Sequence, residues 1–169
     1  MAIIQQDISE LHSMKRYPQA IFYRGNLKLL QSKKISIIGS RKPSKYSREM
    51  VHNLSSLLAR YGVCVVSGGA MGIDAIAHNG AGSNNTIAVL PCGIDIKYPA
   101  VNKNLLTEIE KKGLLLSQFE DEQKARTWSF VVRNELVVAL GEMLIVTQAD
   151  LNSGSIRSVE YAQKMGKKI

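Results

Sequence analysis

The stretches 35-ISIIGSR-41 and 63-VCVVSGGAMGID-74, about a helix's length apart, decide the fold. Each is a β-branched apolar run that stops abruptly at small residues and then turns polar. That pattern reads as a buried strand delivering a Gly/Ser loop to the start of a helix. Loops of this kind leave backbone N–H groups free to hold an anion, helped by the helix dipole. Two of them on successive strands point to a ligand with more than one phosphate, a nucleotide or a nucleic acid.

Working outward, strand-like and helix-like runs alternate from Lys34 onward. The expected strands are Ile35–Ile38, Val63–Val66, Thr86–Leu90, Leu114–Phe119 and Met143–Thr147. Helical spacing relates Val51, Leu54, Leu58 and Tyr61, then Ile73, Ile76, Ala77 and Gly80. Leu105, Leu106 and Ile109 mark a helix that Asn102 or Asn104 is placed to cap. Ile156, Val159 and Ala162 mark the last helix, which Gly166 ends. Helices between strands imply right-handed crossovers and a three-layer, Rossmann-like α/β fold: an open, mainly parallel sheet with helices on both faces. Residues 1–32 read as a lead-in packed on the sheet edge, with YPQAIFYRGN forming a helix, an extended piece and a Gly-Asn turn. Residues 33–169 read as one domain, and the terminal GKKI reads as the opening of a further strand, so the protein is expected to continue.

The 169 residues are 45 % apolar, enough for one full core. Leu136–Val146, interrupted by Glu142, is too short to span a bilayer, and Met1–Lys15 carries no signal-peptide pattern. The two cysteines make no disulfide framework, and no spacing suggests a metal, so a cytosolic protein without a cofactor is expected. The net charge of +8, from 22 Lys and Arg against 14 Asp and Glu, favours a polyanionic partner.

In an open parallel sheet, ligands collect at the carboxyl ends of strands near the switch in strand order. Three loops qualify. In Gly39-Ser40-Arg41-Lys42, the serine hydroxyl donates and the arginine fork suits phosphate. Ser67-Gly68-Gly69-Ala70-Met71-Gly72 permits close backbone approach. Ser153-Gly154-Ser155 offers a helix N-terminus with two hydroxyls, though ordinary N-capping explains it equally well. Asp74 and His78, four apart on one helical face, read as a local pair in preference to a catalytic dyad. In Arg126–Asn134, Trp128 and Phe130 alternate like one face of an extended strand among arginines, as unpaired bases require. Trp128 reads as core, while Phe130 is open between core and an exposed ring. The G-x-G-x-x-G dinucleotide fingerprint, the P-loop, the G-x-S-x-G elbow and H-E-x-x-H are all absent.

Together, GSR at 39–41, SGGAMGIDAIAH at 67–78, AVLPCGIDIKYP at 88–99, GLLLSQF at 113–119, WSFVVRN at 128–134 and SGS at 153–155 resemble the DprA/Smf family of DNA-processing proteins. YPQAIFYRGNLKLL at 17–30 also resembles the family's approach to its core. The resemblance implies a non-enzymatic core that binds single-stranded DNA without sequence preference. It further implies protection of incoming DNA in natural transformation, loading of RecA recombinase, and a homodimer in the full-length protein. By that resemblance Gly39, Ser40, Arg41 and Lys42 meet phosphates, and Ser67, Gly68, Gly69, Ala70 and Gly72 line the same pocket. Phe130 faces a base, Arg133 and Asn134 line the pocket, and Ser153, Gly154 and Ser155 close it. Two departures stand out: Glu135 follows Asn134 where the family commonly has arginine, and Gln148 stands where an acid is common. Glu135 is expected to point away or pair with Arg133, and Arg126 is the candidate for a basic residue often found just before the phenylalanine. The alternative class is a nucleotide-binding or nucleoside-monophosphate-hydrolysing protein of a related Rossmann-like family. Against it, SGGAMGID lacks the P-G-G-x-G-T-x-x-E spacing of the phosphoribohydrolases.

Overall fold

A computed structural model describes residues 2–169. Seven strands form one sheet: β1 (Ala2–Ile3), β2 (Phe22–Gly25), β3 (Lys34–Gly39), β4 (Cys64–Ser67), β5 (Thr86–Leu90), β6 (Leu114–Ser117) and β7 (Leu144–Thr147). Their spatial order is β1-β2-β6-β5-β4-β3-β7. The pairs β3·β4, β4·β5, β5·β6 and β3·β7 are parallel, while β2 joins β6 antiparallel and β1 joins β2 antiparallel. The chain lays down β3 to β6 in one direction and then returns to place β7 on the other side of β3. The switch point therefore falls between β3 and β7, where the Gly39–Arg41 loop emerges.

The crossovers are α1 (Lys45–Arg60), α2 (Ile73–Ala81), α3 (Lys103–Lys112) and α4 (Thr127–Leu140), and α5 (Gly154–Lys164) follows β7. Alternation along the strands sends side chains to opposite faces. Ile37 and Val65 pack on α1 and α2, and Leu90 and Leu115 pack on α3. Ile38, Val66, Val89 and Leu116 face α4, α5 and the lead-in. This is the expected three-layer α/β arrangement. No helix among the described residues is long and apolar enough to cross a membrane.

The lead-in supplies β2 to the edge at β6 and is tied at its base by Lys34. This buried ammonium donates to the Leu30 and Ser32 carbonyls at 2.7 and 2.9 Å and meets Glu10 at 2.6 Å. Of the elements read in YPQAIFYRGN, the extended piece is β2 and Asn26 caps the short 3-10 helix Leu27–Gln31, but the residues before Phe22 are irregular. Gly166 ends α5 with a φ of +66°, as its position after the last apolar residue predicts. At the terminal GKKI, Lys168 makes one isolated parallel bridge to Met143, the residue before β7.

Asn102 does not cap α3 with its side chain. Its amide donates instead to the Gly69 and Ala70 carbonyls, each at 3.0 Å, and ties the α3 approach to the glycine loop.

Candidate nucleic-acid interface

The first loop hangs from the sheet at the switch point. The Ser40 N–H donates to the Gln148 carbonyl at 2.8 Å, and the Gln148 side chain accepts from the Ser44 N–H at 2.7 Å. Gln148 thus holds the β3 loop and the start of α1, with a φ of +50° that bends the chain after β7. A Cβ on Gly39 would collide with the Thr147 carbonyl and Ile73, so glycine is required where the two strands leave the sheet together. Gly72, with a φ of +77°, presses its Cα against the Ser40 and Arg41 backbone and locks the first loop to the second.

The second loop is organised from within. The Asp74 carboxylate accepts from the Gly68 N–H at 3.1 Å and the Ala70 N–H at 3.2 Å. These donors are therefore occupied, which corrects the expectation that the glycine loop keeps its N–H groups free for an anion. The loop's own helix supplies the anion. Arg133 is 4 % exposed, and its guanidinium donates to the carbonyls of Gly68 and of Val89, the latter at 3.0 Å. Its Nε donates to Asn134 at 3.0 Å. A Cβ on Gly68 would strike both Arg133 and Asp74. Burial pushes the Asp74 carboxyl above its ordinary range, and the Arg133 charge with the two N–H groups opposes that shift. Burial likewise pushes the Arg133 guanidinium below its ordinary value, with Asp74 opposing.

Asp74 and His78 do not meet as a pair. His78 bonds Thr86 Oγ1 at 2.7 Å through Nδ1, and the Thr86 hydroxyl donates to the Val65 carbonyl at 2.7 Å. The threonine proton is spent there, so Nδ1 carries the imidazole proton and Nε2 is left bare, buried and without a partner. Burial then drives the His78 pKa down to about 3.

The segment expected to be extended around Trp128 and Phe130 is the first turn of α4. Trp128 is 52 % exposed, not core, and meets Phe119 edge-on at 5.7 Å between centroids. Phe130 is half-buried. The Arg41 and Arg133 guanidiniums lie 5.4 and 5.6 Å from its centroid, and Tyr98 meets it edge-on at 5.8 Å. Glu135 points away from this group and accepts from the Lys15 N–H at 3.0 Å.

Two adjoining clefts result. One is polar, at the switch point, lined by Gly39, Ser40, Arg41, Lys42, Ala70, Asp74, Arg133, Asn134, Asp150 and Ser153–Ser155. The N-terminus of α5 opens into it, bringing the positive end of a helix dipole beside Arg41 and Lys42. Ser155 Oγ donates to the Gly39 carbonyl at 3.2 Å, Asn134 reaches the Gly154 carbonyl at 3.5 Å, and Ser153 Oγ is buried with no partner. The other cleft is largely apolar, between Phe130, Tyr98, Pro91, Pro99 and Met71, with Gly68 and Ala70 at its base. Arg41, Ala70 and Arg133 line both.

Of the residues singled out in the sequence, Gly39–Lys42, Gly68, Ala70, Phe130, Arg133, Asn134 and Ser153–Ser155 come together here. Four do not reach either cleft. Ser67 is buried and donates to the Ile37 carbonyl at 2.6 Å. Gly69 faces Leu106, Gly72 faces the first loop, and Arg126 precedes α4 with its N–H on Ser129 Oγ at 2.9 Å. Tyr98, Pro91, Pro99 and Met71 were not singled out. The available signal for Tyr98 is an aromatic between Lys97 and Pro99 in the loop that follows β5.

Residues 5–169 match the family described as DNA recombination-mediator protein A. The chain is 33 % identical over 162 residues to the DNA processing protein DprA of Bacillus subtilis and 36 % over 165 residues to that of Streptococcus pneumoniae. These alignments cover 94 % and 96 % of this chain but 54 % and 57 % of the relatives, so the chain spans about half the length of the curated relatives it matches. A solved structure of DNA processing protein A from Helicobacter pylori, described for its single-stranded DNA binding mode, superposes with a TM-score of 0.96. It is 38 % identical, over 98 % of this chain and 77 % of that one. The solved S. pneumoniae DprA superposes with a TM-score of 0.88 at 35 % identity, over 94 % of this chain and 56 % of that one. The molybdenum cofactor carrier protein of Chlamydomonas reinhardtii, at 18 % identity and a TM-score of 0.54, shares the fold alone. With a match over nearly its whole length and the loops in their expected places on the sheet, the chain belongs to the DprA/Smf family of DNA-processing proteins.

Proposed function

We propose that this chain binds single-stranded DNA without sequence preference, with phosphates in the polar cleft and a base in the aromatic one. The observation that carries the reading is the shared wall. Arg41 lines both clefts, so a phosphate on its guanidinium stands beside an aromatic slot for the attached base. The basic surplus and the α5 N-terminus favour the same ligand. The reading assigns no catalytic step: Asp74 and His78 are both engaged in holding the loop and the sheet. Protection of incoming DNA, loading of RecA recombinase and homodimerisation belong to the same proposal, as roles of the full-length protein drawn from the family resemblance.

Arg41→Ala is expected to weaken binding alike for all sequences and to flatten the dependence of log K on log salt by about one unit. Filter binding at several salt concentrations measures both, and an unchanged slope and affinity overturn the proposal. Phe130→Ala is expected to cost about 1–3 kcal/mol of affinity for oligothymidine. No loss would reduce Phe130 to a packing partner of the two arginines.

A further inference from the structure

We propose that Tyr98 makes the aromatic cleft select an unpaired base, an inference that rests on reading the site as a single-strand binder. The polar cleft has no means of telling single from double strands, because phosphates are present in both. Discrimination must come from the neighbouring compartment. Its inner end is closed by Arg133, whose guanidinium is fixed by two backbone carbonyls and lies against Phe130. Its outer wall is Tyr98, 40 % exposed and set at 67° to Phe130 with the ring centroids 5.8 Å apart, so part of the tyrosine ring remains open to solvent.

Tyr98 is held in that place by its loop. The Gly93 N–H donates to the Gln123 carbonyl at 2.9 Å, and Ser117 Oγ donates to the Cys92 carbonyl at 2.6 Å. Lys97 reaches Glu110 at 3.0 Å, and Asn102 ties the far end of the loop to Gly69 and Ala70. A partly exposed aromatic ring on a braced loop, packed on a second aromatic and beside a cationic wall, is a stacking platform. A base reaches such a platform only when swung out of a stack, and a base pair is barred by its partner strand.

The test uses anisotropy with three labelled DNAs: an oligothymidine, an abasic strand of the same length, and a duplex. Tyr98→Ala is expected to bind oligothymidine roughly tenfold more weakly, with affinity for the abasic strand and the duplex held within about twofold. Tyr98→Phe keeps the ring and is expected to bind all three as the parent does. Equal loss on the abasic strand, or no loss on oligothymidine, overturns the role of Tyr98. Failure of the underlying reading shows itself earlier, in the unsubstituted protein, which would then show no preference for oligothymidine over the duplex. Melting temperatures of the two variants within about 2 °C of the parent confirm that the fold is intact, as expected for a change at an exposed ring.

Discussion

Arg133→Met is expected to destabilise the protein by about 3–5 kcal/mol, the largest effect of any single change at the site. The substitution preserves the bulk of the side chain and removes what its charge does. The Gly68 and Val89 carbonyls lose their donor, and the buried Asp74 carboxylate loses its compensating cation. Urea denaturation measures the loss directly, and the melting temperature should fall on the order of 10 °C for a chain of this size. A loss under about 1 kcal/mol would mean that Arg133 is not the brace described above. Arg133→Lys tests geometry against charge. It keeps the cation but not the planar group that puts Nη1 on both carbonyls and Nε on Asn134, so it is expected to recover only part of the loss.

Acidification supplies the second large effect. His78 titrates at about 3 in the native protein and near 6.5 when unfolded, so its folded pKa is depressed. Above about pH 6.5 both states are neutral and the residue is indifferent to pH. Between about 6.5 and 3 the unfolded chain takes up a proton that the native protein refuses, so stability falls as the pH falls through that window. The loss is about 2 kcal/mol by pH 5, before most carboxylates titrate, and on the order of 4 kcal/mol by pH 3. His78→Gln keeps a donor for Thr86 and removes the titration, so its stability should change little between pH 6.5 and 5. Asp74, pushed upward by burial, titrates in the opposite sense and is common to both proteins. The difference between the two pH profiles therefore isolates His78. Parallel profiles would show that the imidazole is not buried in its neutral form.

The parallel sheet was legible because its strands are β-branched runs that end at small residues, and both 35–41 and 63–74 carry that signature in full. The strand order was not legible: only the structure places β7 beside β3 and so brings the first and third loops together. The inner wiring of the second loop was not legible. Three glycines suggest free N–H groups, but a carboxylate on the first turn of α2 reaches back and takes two of them. Nothing local in the sequence separates an aspartate that satisfies the helix dipole from one that folds onto its own loop.

The segment Arg126–Asn134 reads as extended in the sequence, although it lies almost wholly in α4, for a related reason. Alternating aromatics and β-branched neighbours mimic period two, and the second half of α4 hides its helical stripe by being buried on every side. Leu136 to Leu140 are all buried between the sheet, α5 and the lead-in, so no polar face marks the period. The same tertiary setting leaves Trp128 at the surface, whereas composition alone suggests core. Arg133 is the converse case, a cation whose buried role depends on carbonyls 65 and 44 residues away.

In the proposed complex, phosphate and base occupy neighbouring compartments with Arg41 on their shared wall. A crystal structure with a short oligothymidine tests it most directly. The expected result is a phosphate held between Arg41 and the N-terminus of α5, with the attached base in the cleft lined by Phe130 and Tyr98, against the exposed part of the tyrosine ring. Oligothymidine bound elsewhere on the molecule, with both clefts left to solvent, would contradict it.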